Sequence, residues 1–285
     1  TLMTEVDFAS PRHVWSFSRD GGEEKEIEIV REEPLSLHIN GRQAALLMRM
    51  PGRERELVAG FCVSEGLVKS FADVLTIQHC GQTSAIPEAE SPSEDEVVIS
   101  RNRAYVVVRP EALDEEARLE VVRLIRAGCG AVDVDRTELP LPRVSEGPSI
   151  DSQVLFGLSG DMRGAQRVHK HVGGVHAAAL YDVEGQRVVL CEDVGRHNAV
   201  DKAIGHCLLR DIPLSDKVLL CSGRLSYEMV TKAVRMGIPA LASMSSPTTL
   251  AVEIADQFNL TMVGYLGGRR MTVYTHTERL RTGSQ

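Results

Sequence analysis

The second half of the chain alternates short apolar runs with helical stretches, and this alternation restricts the possible folds more than any other feature. Five runs are typical of strands: residues 177–182, 188–191, 218–221, 240–243 and 261–266. Helical periodicity follows at residues 198–209, 226–236 and 248–258. Such alternation is typical of a sheet whose faces are covered by helices. We therefore predict an α/β domain over residues 146–285.

The first half has a different pattern, which predicts an α+β domain with an antiparallel sheet over residues 26–145. Asn40-Gly41 favours a type I′ hairpin turn between two apolar runs. Strands are predicted at residues 26–32, 35–39, 44–50, 74–78, 96–100 and 105–108, and helices at residues 54–67 and 111–126. The Pro- and Gly-containing stretch 137–149 predicts the domain boundary, and residues 1–25 are assigned to an N-terminal extension.

Composition and charge narrow the possible functions. A formal net charge of -8 argues against non-specific nucleic-acid binding, which needs clustered Lys and Arg. No run approaches the roughly 18 apolar residues of a membrane span, and no secretory signal pattern is present. The 6 cysteines are scattered and do not suggest a disulfide framework. We expect a cytoplasmic protein that acts away from membranes.

One cysteine has a setting that favours chemistry. Cys129 lies between Gly128 and Gly130, so its thiol lacks neighbouring side chains and its backbone is unusually free. Its position after a predicted helix disfavours a thiolate, because the helix dipole is negative there. An unreactive loop cysteine therefore remains an alternative, and Cys80 is a second candidate. Four further cysteines lie in apolar runs and are expected to act as small hydrophobes: Cys62, Cys191, Cys207 and Cys221.

Three predicted turns join a strand to the next helix, at residues 192–197, 222–225 and 243–248. Open α/β sheets bind ligands at such ends, where glycine admits a ligand, helix starts offer free N–H groups and arginine suits phosphate. The candidate binding residues are Gly195, Arg196, His197, Ser222, Gly223 and Arg224, with Leu266, Gly267, Gly268, Arg269, Arg270 and Met271 after the last apolar run. For the turn at 243–248, an N-cap at Ser246 with Pro247 as the first helical residue is the favoured interpretation.

The histidines raise the question of a metal. His176 and His197 flank the candidate turns, but the His-x-Glu and Pro-Cys-x-x-Cys pattern of zinc deaminases is absent, because Ala178 follows His176 by two positions. We predict no catalytic metal. These histidines are expected to hydrogen-bond to a ligand or to buried carbonyl groups.

Several motifs together resemble the FdhD/NarQ family of formate dehydrogenase accessory sulfurtransferases. They are GGVHAAAL at residues 173–180, EDVGRHNAVDK at 192–202, SGRLSYEMV at 222–230, TVYTH at 272–276, FCVSEG at 61–66 and the Gly-Cys-Gly loop. The resemblance covers most of the chain and is strongest from Val172 to Leu280. It implies a cytidine-deaminase-like second domain and a homodimer.

The resemblance also implies a function in maturing formate dehydrogenase. Cys129 would receive sulfur from a cysteine desulfurase as a persulfide. The sulfur would pass to the bis(molybdopterin guanine dinucleotide) molybdenum cofactor before its insertion into apo formate dehydrogenase, with the cofactor bound at Leu266 to Met271. Many family members carry Cys-x-x-Cys in this loop, whereas Val132 occupies the second position here. A cofactor-binding chaperone without sulfur transfer therefore remains the alternative.

Overall fold

The computed structural model describes residues 8–79, 101–113 and 140–281. Its strands are β1 (Ala9–Ser18), β2 (Gly21–Val30), β3 (Glu33–Ile39), β4 (Arg42–Arg49), β5 (Val74–His79), β6 (Arg103–Val108), β7 (Ile150–Asp151), β8 (His176–Tyr181), β9 (Arg187–Asp193), β10 (Val218–Cys221), β11 (Ala240–Ser243), β12 (Thr261–Gly264), β13 (Thr272–Thr275) and β14 (Leu280–Arg281). Its α-helices are α1 (Glu54–Ser64), α2 (Ser152–Ala165), α3 (Val168–His171), α4 (Arg196–Leu208), α5 (Tyr227–Arg235) and α6 (Thr249–Gln257).

The second half forms a three-layer α/β unit, as predicted. Its sheet has the strand order β13-β12-β11-β10-β8-β9, in which β10, β11 and β12 are parallel and the other pairings are antiparallel. Helices α4, α5 and α6 pack on one face, and α2 packs on the other. The central strands are buried along their whole length, because helices cover both faces of the sheet.

The predicted elements of this unit are confirmed, with every end within two residues of its expected position. The predicted cap at Ser246 is wrong. Helix α6 begins at Thr249, and the Thr248 hydroxyl accepts a hydrogen bond from the Ala251 N–H at 3.3 Å. Ser246 instead accepts a hydrogen bond from the Leu225 N–H, and this contact holds the chain extended at Pro247.

The first half builds a four-stranded sheet with the order β4-β3-β6-β5, covered by α1. The hairpin turn at Asn40 and Gly41 is confirmed, since both residues have the positive φ that a type I′ turn requires. The prediction of a wholly antiparallel sheet is wrong at one pair. Strands β3 and β6 are parallel, because α1 crosses back between β4 and β5, so that these two strands run in the same direction and each is antiparallel to its own neighbour, β3 or β6.

Some predictions for the first half lie partly or wholly outside the described residues. The strand predicted at residues 96–100 lies outside them, as does most of the helix predicted at 111–126. The start of that helix is instead a 3-10 turn at Pro110–Ala112. The domain division near residue 145 stays a prediction.

Residues 9–30 form an antiparallel hairpin of strands β1 and β2, of which only part was predicted. Nearly all of β2 is exposed, and Trp15 and Phe17 of β1 are also exposed. Glu26 to Ile29 alternate between acidic and apolar residues and belong to the part of β2 that was predicted, whereas residues 21–25 are only Gly, Glu and Lys and have no such pattern.

Two glycines bring α1 and α4 unusually close together. A Cβ atom on Gly60 would lie 1.9 Å from the carbonyl oxygen of Asp201, and one on Gly205 would lie 1.8 Å from that of Glu56. Only hydrogen fits at both positions, so the backbones of the two helices are in contact. This contact joins the sheet of the first half to the helical layer of the second. No helix in the described part of the chain is long and apolar enough to cross a membrane.

This contact predicts a large effect for Gly205→Ala. We expect the free energy of unfolding to fall by about 3 kcal/mol or more, because the added methyl group would overlap backbone that cannot move aside. Chemical denaturation measures the change. The matched control is Gly160→Ala in α2, where no atom lies within 4 Å of the added Cβ. The control should gain about 0.5–1 kcal/mol, and equal effects in both variants would contradict the close helix contact.

Candidate anion-binding site

The candidate binding residues lie along one edge of the six-stranded sheet. Strands β9, β10, β11 and β12 all point the same way, so their carboxyl ends meet at this edge. Strands β8 and β13 run in the opposite direction, so each begins there. The turns after β9, β10 and β12 and the first residue of β8, His176, therefore share this edge, which we call the carboxyl edge.

Hydrogen bonds connect the turns of the carboxyl edge to one another. The Ser222 hydroxyl accepts from the Ala177 N–H at 2.9 Å. The Ser243 hydroxyl donates to the Gly223 carbonyl at 2.6 Å, and the Ser243 carbonyl accepts from the Leu266 N–H at 2.9 Å. The predicted segments around Ser222 and Leu266 are thus connected through Ser243, which was not among the predicted binding residues.

Gly223 brings together two other predicted residues. A Cβ atom at this position would lie 3.2 Å from the Nδ1 atom of His176 and 3.7 Å from the Cβ atom of Arg196. Gly195 is similarly confined, because its Cβ would lie 2.9 Å from the Nδ2 atom of Asn198. Neither glycine has a positive φ, so glycine is needed at these positions because a side chain would not fit, and not because of the backbone conformation.

Positive charge is concentrated at this edge although the protein is acidic. Arg224, Arg269 and Arg270 are exposed, and among the described residues no acidic side chain pairs with them. The buried Nε atom of Arg196 also has no hydrogen-bond partner within the described ranges. Such guanidinium groups suit a phosphate or pyrophosphate.

The acidic side chains nearby are engaged in other contacts. Glu192 accepts hydrogen bonds from the N–H groups of Arg167, Val168 and His169 at 2.9–3.0 Å and so caps α3. Glu228 accepts from the Ser226 hydroxyl at 2.6 Å. Within the described ranges, neither carboxylate forms an ion pair with the exposed arginines.

Asp193 holds the turn that carries Gly195 and Arg196. It is fully buried, and its Oδ1 atom accepts from the Gly195 N–H at 2.9 Å and from the Asn198 amide at 3.0 Å. Its Oδ2 atom lies 2.7 Å from the Nζ atom of Lys202. Sequence reasoning gave Asp193 no role, although an Asp two residues before a turn glycine is a recognised turn signal.

The same cluster reaches the end of β4. The Asn198 amide donates to the Met48 carbonyl at 2.7 Å, and Lys202 donates to the Met50 carbonyl at 2.9 Å. The turn at the carboxyl edge is therefore anchored to the first half of the chain.

Both candidate histidines are neutral at pH 7. Burial, together with the charges of Lys232 and Arg196, lowers the pKa of His197 to about 4, against the opposing charges of Glu228 and Glu65. Burial and Arg196 also lower the pKa of His176. The Nε2 atom of His197 is buried and has no hydrogen-bond partner among the residues that the structure describes. A neutral imidazole can donate or accept a hydrogen bond.

Four cysteines behave as the sequence predicts. Cys62, Cys191, Cys207 and Cys221 are buried, and burial raises their pKa values to about 12, 11, 11 and 12 respectively. A thiol with such a pKa is a poor nucleophile near neutral pH. Cys129 and Cys80, the two candidates for sulfur chemistry, lie outside the described residues.

Taken together, the fold and the carboxyl edge define a mixed α/β protein whose exposed guanidinium groups suit an anionic group. The chain belongs to the FdhD/NarQ family, whose model matches residues 30–281. The resemblance noted in its motifs is thereby confirmed.

Curated relatives match over most of their length. A protein of Streptomyces coelicolor named sulfur carrier protein FdhD is 39% identical over 254 residues, which cover 88% of each chain. A protein of the same name in Thermoplasma acidophilum is 34% identical over 278 residues, covering 95% of this chain and 94% of the relative. A crystal structure assigned as a formate dehydrogenase accessory protein from Desulfotalea psychrophila shares the fold, with a TM-score of 0.73 and 23% identity over 96% of this chain and 100% of that chain.

The half-buried, neutral His197 predicts sensitivity to acid. Its pKa is about 4 in the folded protein and ordinarily 6.5, so the unfolded chain binds more protons between these values. The neutral ring makes its full contribution to the free energy of unfolding above pH 6.5, and this contribution is lost as the pH falls to about 4. In His197→Gln, the free energy of unfolding should therefore fall less steeply over this range.

Urea denaturation at a series of pH values measures this slope. His13→Gln is the control, because His13 is exposed on the hairpin. It should retain the slope of the unsubstituted protein, whereas a retained slope in His197→Gln would contradict the half-buried, neutral ring.

Proposed function

We propose that this protein is a sulfur carrier required for formate dehydrogenase activity. In this proposal Cys129 accepts sulfur from a cysteine desulfurase as a persulfide and passes it to the bis(molybdopterin guanine dinucleotide) molybdenum cofactor, which is the substrate, before insertion into apo formate dehydrogenase. Family membership and the names of the relatives support the general role. The protein would act in the cytoplasm as a homodimer.

The choice of Cys129 for the sulfur step rests on the surroundings of the six cysteines. The four buried thiols have pKa values raised to about 11 or 12, which makes them unsuited to nucleophilic attack. Of the two remaining thiols, Cys129 has glycine on both sides, whereas Cys80 has His79 on one side. Glycine neighbours leave a thiol open to a partner protein, so Cys129 is the stronger candidate.

Sulfur transfer through one cysteine is chemically balanced. The Cys129 thiolate attacks the outer sulfur of the desulfurase persulfide, a new S–S bond forms at Cys129, and the desulfurase thiolate leaves. This exchange moves one sulfur atom without net oxidation. A second cysteine at the Val132 position is therefore unnecessary for loading.

The carboxyl edge is suited to the phosphate-bearing end of this substrate. Gly195 and Gly223 let their turns pack closely against Asn198 and His176, beside the first turns of α4 and α5, where free N–H groups favour an anion. The Gly267 N–H donates to the Arg270 carbonyl at 2.9 Å, which makes a tight turn with Arg269 and Arg270 exposed. Neutral His176 and His197 can supply further hydrogen bonds. The exposed Gly268 and the half-buried Met271 complete the segment proposed to contact the cofactor.

The sheet topology supports the proposed relation to cytidine deaminases. Three parallel strands are extended on one side by an antiparallel pair, and the helices that follow β9 and β10 start at the carboxyl edge. Zinc deaminases bind their metal through a histidine or cysteine and the cysteine pair of a Pro-Cys-x-x-Cys motif. In this chain α4 starts at Arg196 after Gly195, and the turn before α5 contains Gly223 and Arg224, without a cysteine pair in either place.

The sulfur step predicts a covalent adduct on one residue. After incubation with cysteine and an active cysteine desulfurase, intact mass spectrometry should show an added mass of about 32 Da that a thiol removes. Cys129→Ala should abolish this adduct, and the control Cys80→Ala should retain it. An adduct in both variants would exclude either residue as the sole carrier. No adduct in the unsubstituted protein would favour the cofactor chaperone.

The anion site predicts a loss of nucleotide binding that depends on position. GDP is a suitable probe, because the substrate ends in guanine nucleotides. The double variant Arg269→Ala, Arg270→Ala should bind GDP at least about tenfold more weakly by calorimetry, a loss of roughly 1.4 kcal/mol. Arg281→Ala on β14 is the matched control and should leave the affinity unchanged. Equal losses in both proteins would point to a non-specific charge effect.

A further inference from the structure

The motif at residues 61–66 has no part in the proposed function so far, yet it places a carboxylate beside the carboxyl edge. Ser64 ends α1 and is fully buried, and Glu65 follows it as the C-cap. Gly66 then takes a positive φ with its backbone against the Arg235 side chain. The Arg235 guanidinium donates to the Ser64 carbonyl at 2.5 Å. The end of α1 is therefore held against α5.

A buried ammonium group binds this segment to both helices of the carboxyl edge. The Nζ atom of Lys232 lies 2.5 Å from Glu65 Oε1, 2.8 Å from Asp201 Oδ1 and 2.9 Å from the Ser64 hydroxyl. These three residues use all three donors of the ammonium group. The Ser64 hydroxyl also donates to Asp201 Oδ1 at 2.7 Å. One cluster thus joins α1 to α4 through Asp201 and to α5 through Lys232.

Helical spacing connects this cluster to the ligand-binding turns. Asp201 lies four residues after His197 on α4, and Lys232 lies four residues after Glu228 on α5, so each pair shares a helix face. His197 and Glu228 are in the first turns of their helices, next to the turns that contain Gly195 and Gly223. The charges of Glu65 and Glu228 both act on the His197 ring, which agrees with this placement.

We propose that Glu65 is a positioning residue for the carboxyl edge. Its carboxylate holds the Lys232 ammonium group against Asp201, and this contact sets the spacing between the first turns of α4 and α5, where the anionic ligand binds. The carboxylate acts through Lys232 and does not touch the ligand. This inference rests on the proposed anion site.

Positioning and simple electrostatics predict opposite results when the charge is removed. Glu65 is a negative group near a site for an anion, so its loss by electrostatics alone would strengthen anion binding. If Glu65 positions the helix starts, its loss weakens binding. The sign of the change therefore separates the two roles.

The test compares Glu65→Gln with Glu56→Gln. Glu56 is in the first turn of α1 and pairs with Arg210 beyond the last turn of α4, at 3.5 Å, so the control removes the same charge at the other end of this helix, far from the carboxyl edge. Calorimetry with GDP should show binding weakened about tenfold in Glu65→Gln and unchanged in Glu56→Gln. Glu65→Gln should also shift the NMR signals of the His197 ring, identified by their loss in His197→Gln, and Glu56→Gln should leave them in place.

Glu65→Asp is the second variant, because it keeps the charge and shortens only the reach to Lys232. Weaker GDP binding in this variant as well would support positioning. If Glu65→Gln folds, unchanged or tighter GDP binding in this variant would overturn the positioning role of Glu65. If Glu65→Gln does not fold, unchanged GDP binding in Glu65→Asp would overturn it. Absence of GDP binding in the unsubstituted protein would overturn the anion site itself, and the inference with it.

Discussion

The backbone contact between α1 and α4 is the constraint on which the rest of this structure depends. Gly60 and Gly205 allow the two helices to approach until each lies against a carbonyl group of the other. At that distance the short side chain of Ser64 can reach Asp201, and Lys232 can bridge both helices to α5. A buried ammonium group is tolerated only when all its donors are satisfied. The close packing and the ionic cluster therefore depend on each other.

This junction has a functional consequence, because the first half of the chain supports the binding edge of the second. Asp193 holds the turn with Gly195, while Asn198 and Lys202 bind the backbone at the end of β4. Loops at the end of a sheet are usually its most mobile parts. Here buried contacts from another sheet hold one of them. The exposed arginines therefore supply the positive charge of the site, while the buried contacts fix the conformation of the turn.

Sequence patterns succeeded where burial follows a regular period. The central strands β10, β11 and β12 are continuous apolar runs, and Asn40-Gly41 determines a hairpin turn by local backbone preference. The patterns did not predict β1, where Trp15 and Phe17 alternate with serine only near the end of the strand, or α2, whose three glycines weaken the helical signal. The cap of α6 was predicted at the wrong residue because the backbone of Ser246 accepts a hydrogen bond from Leu225, a residue remote in sequence.

The sequence by itself determined the α/β alternation of the second half, the turns that bear glycine and arginine, and the buried state of four cysteines. Each of these depends on neighbouring residues or on a local apolar run. Only the tertiary structure decided that His176, Arg196 and Gly223 meet, that His197 is neutral, and that Glu65 reaches Lys232. Those facts depend on distances between residues remote in sequence and on the removal of water around charges, which no local pattern encodes.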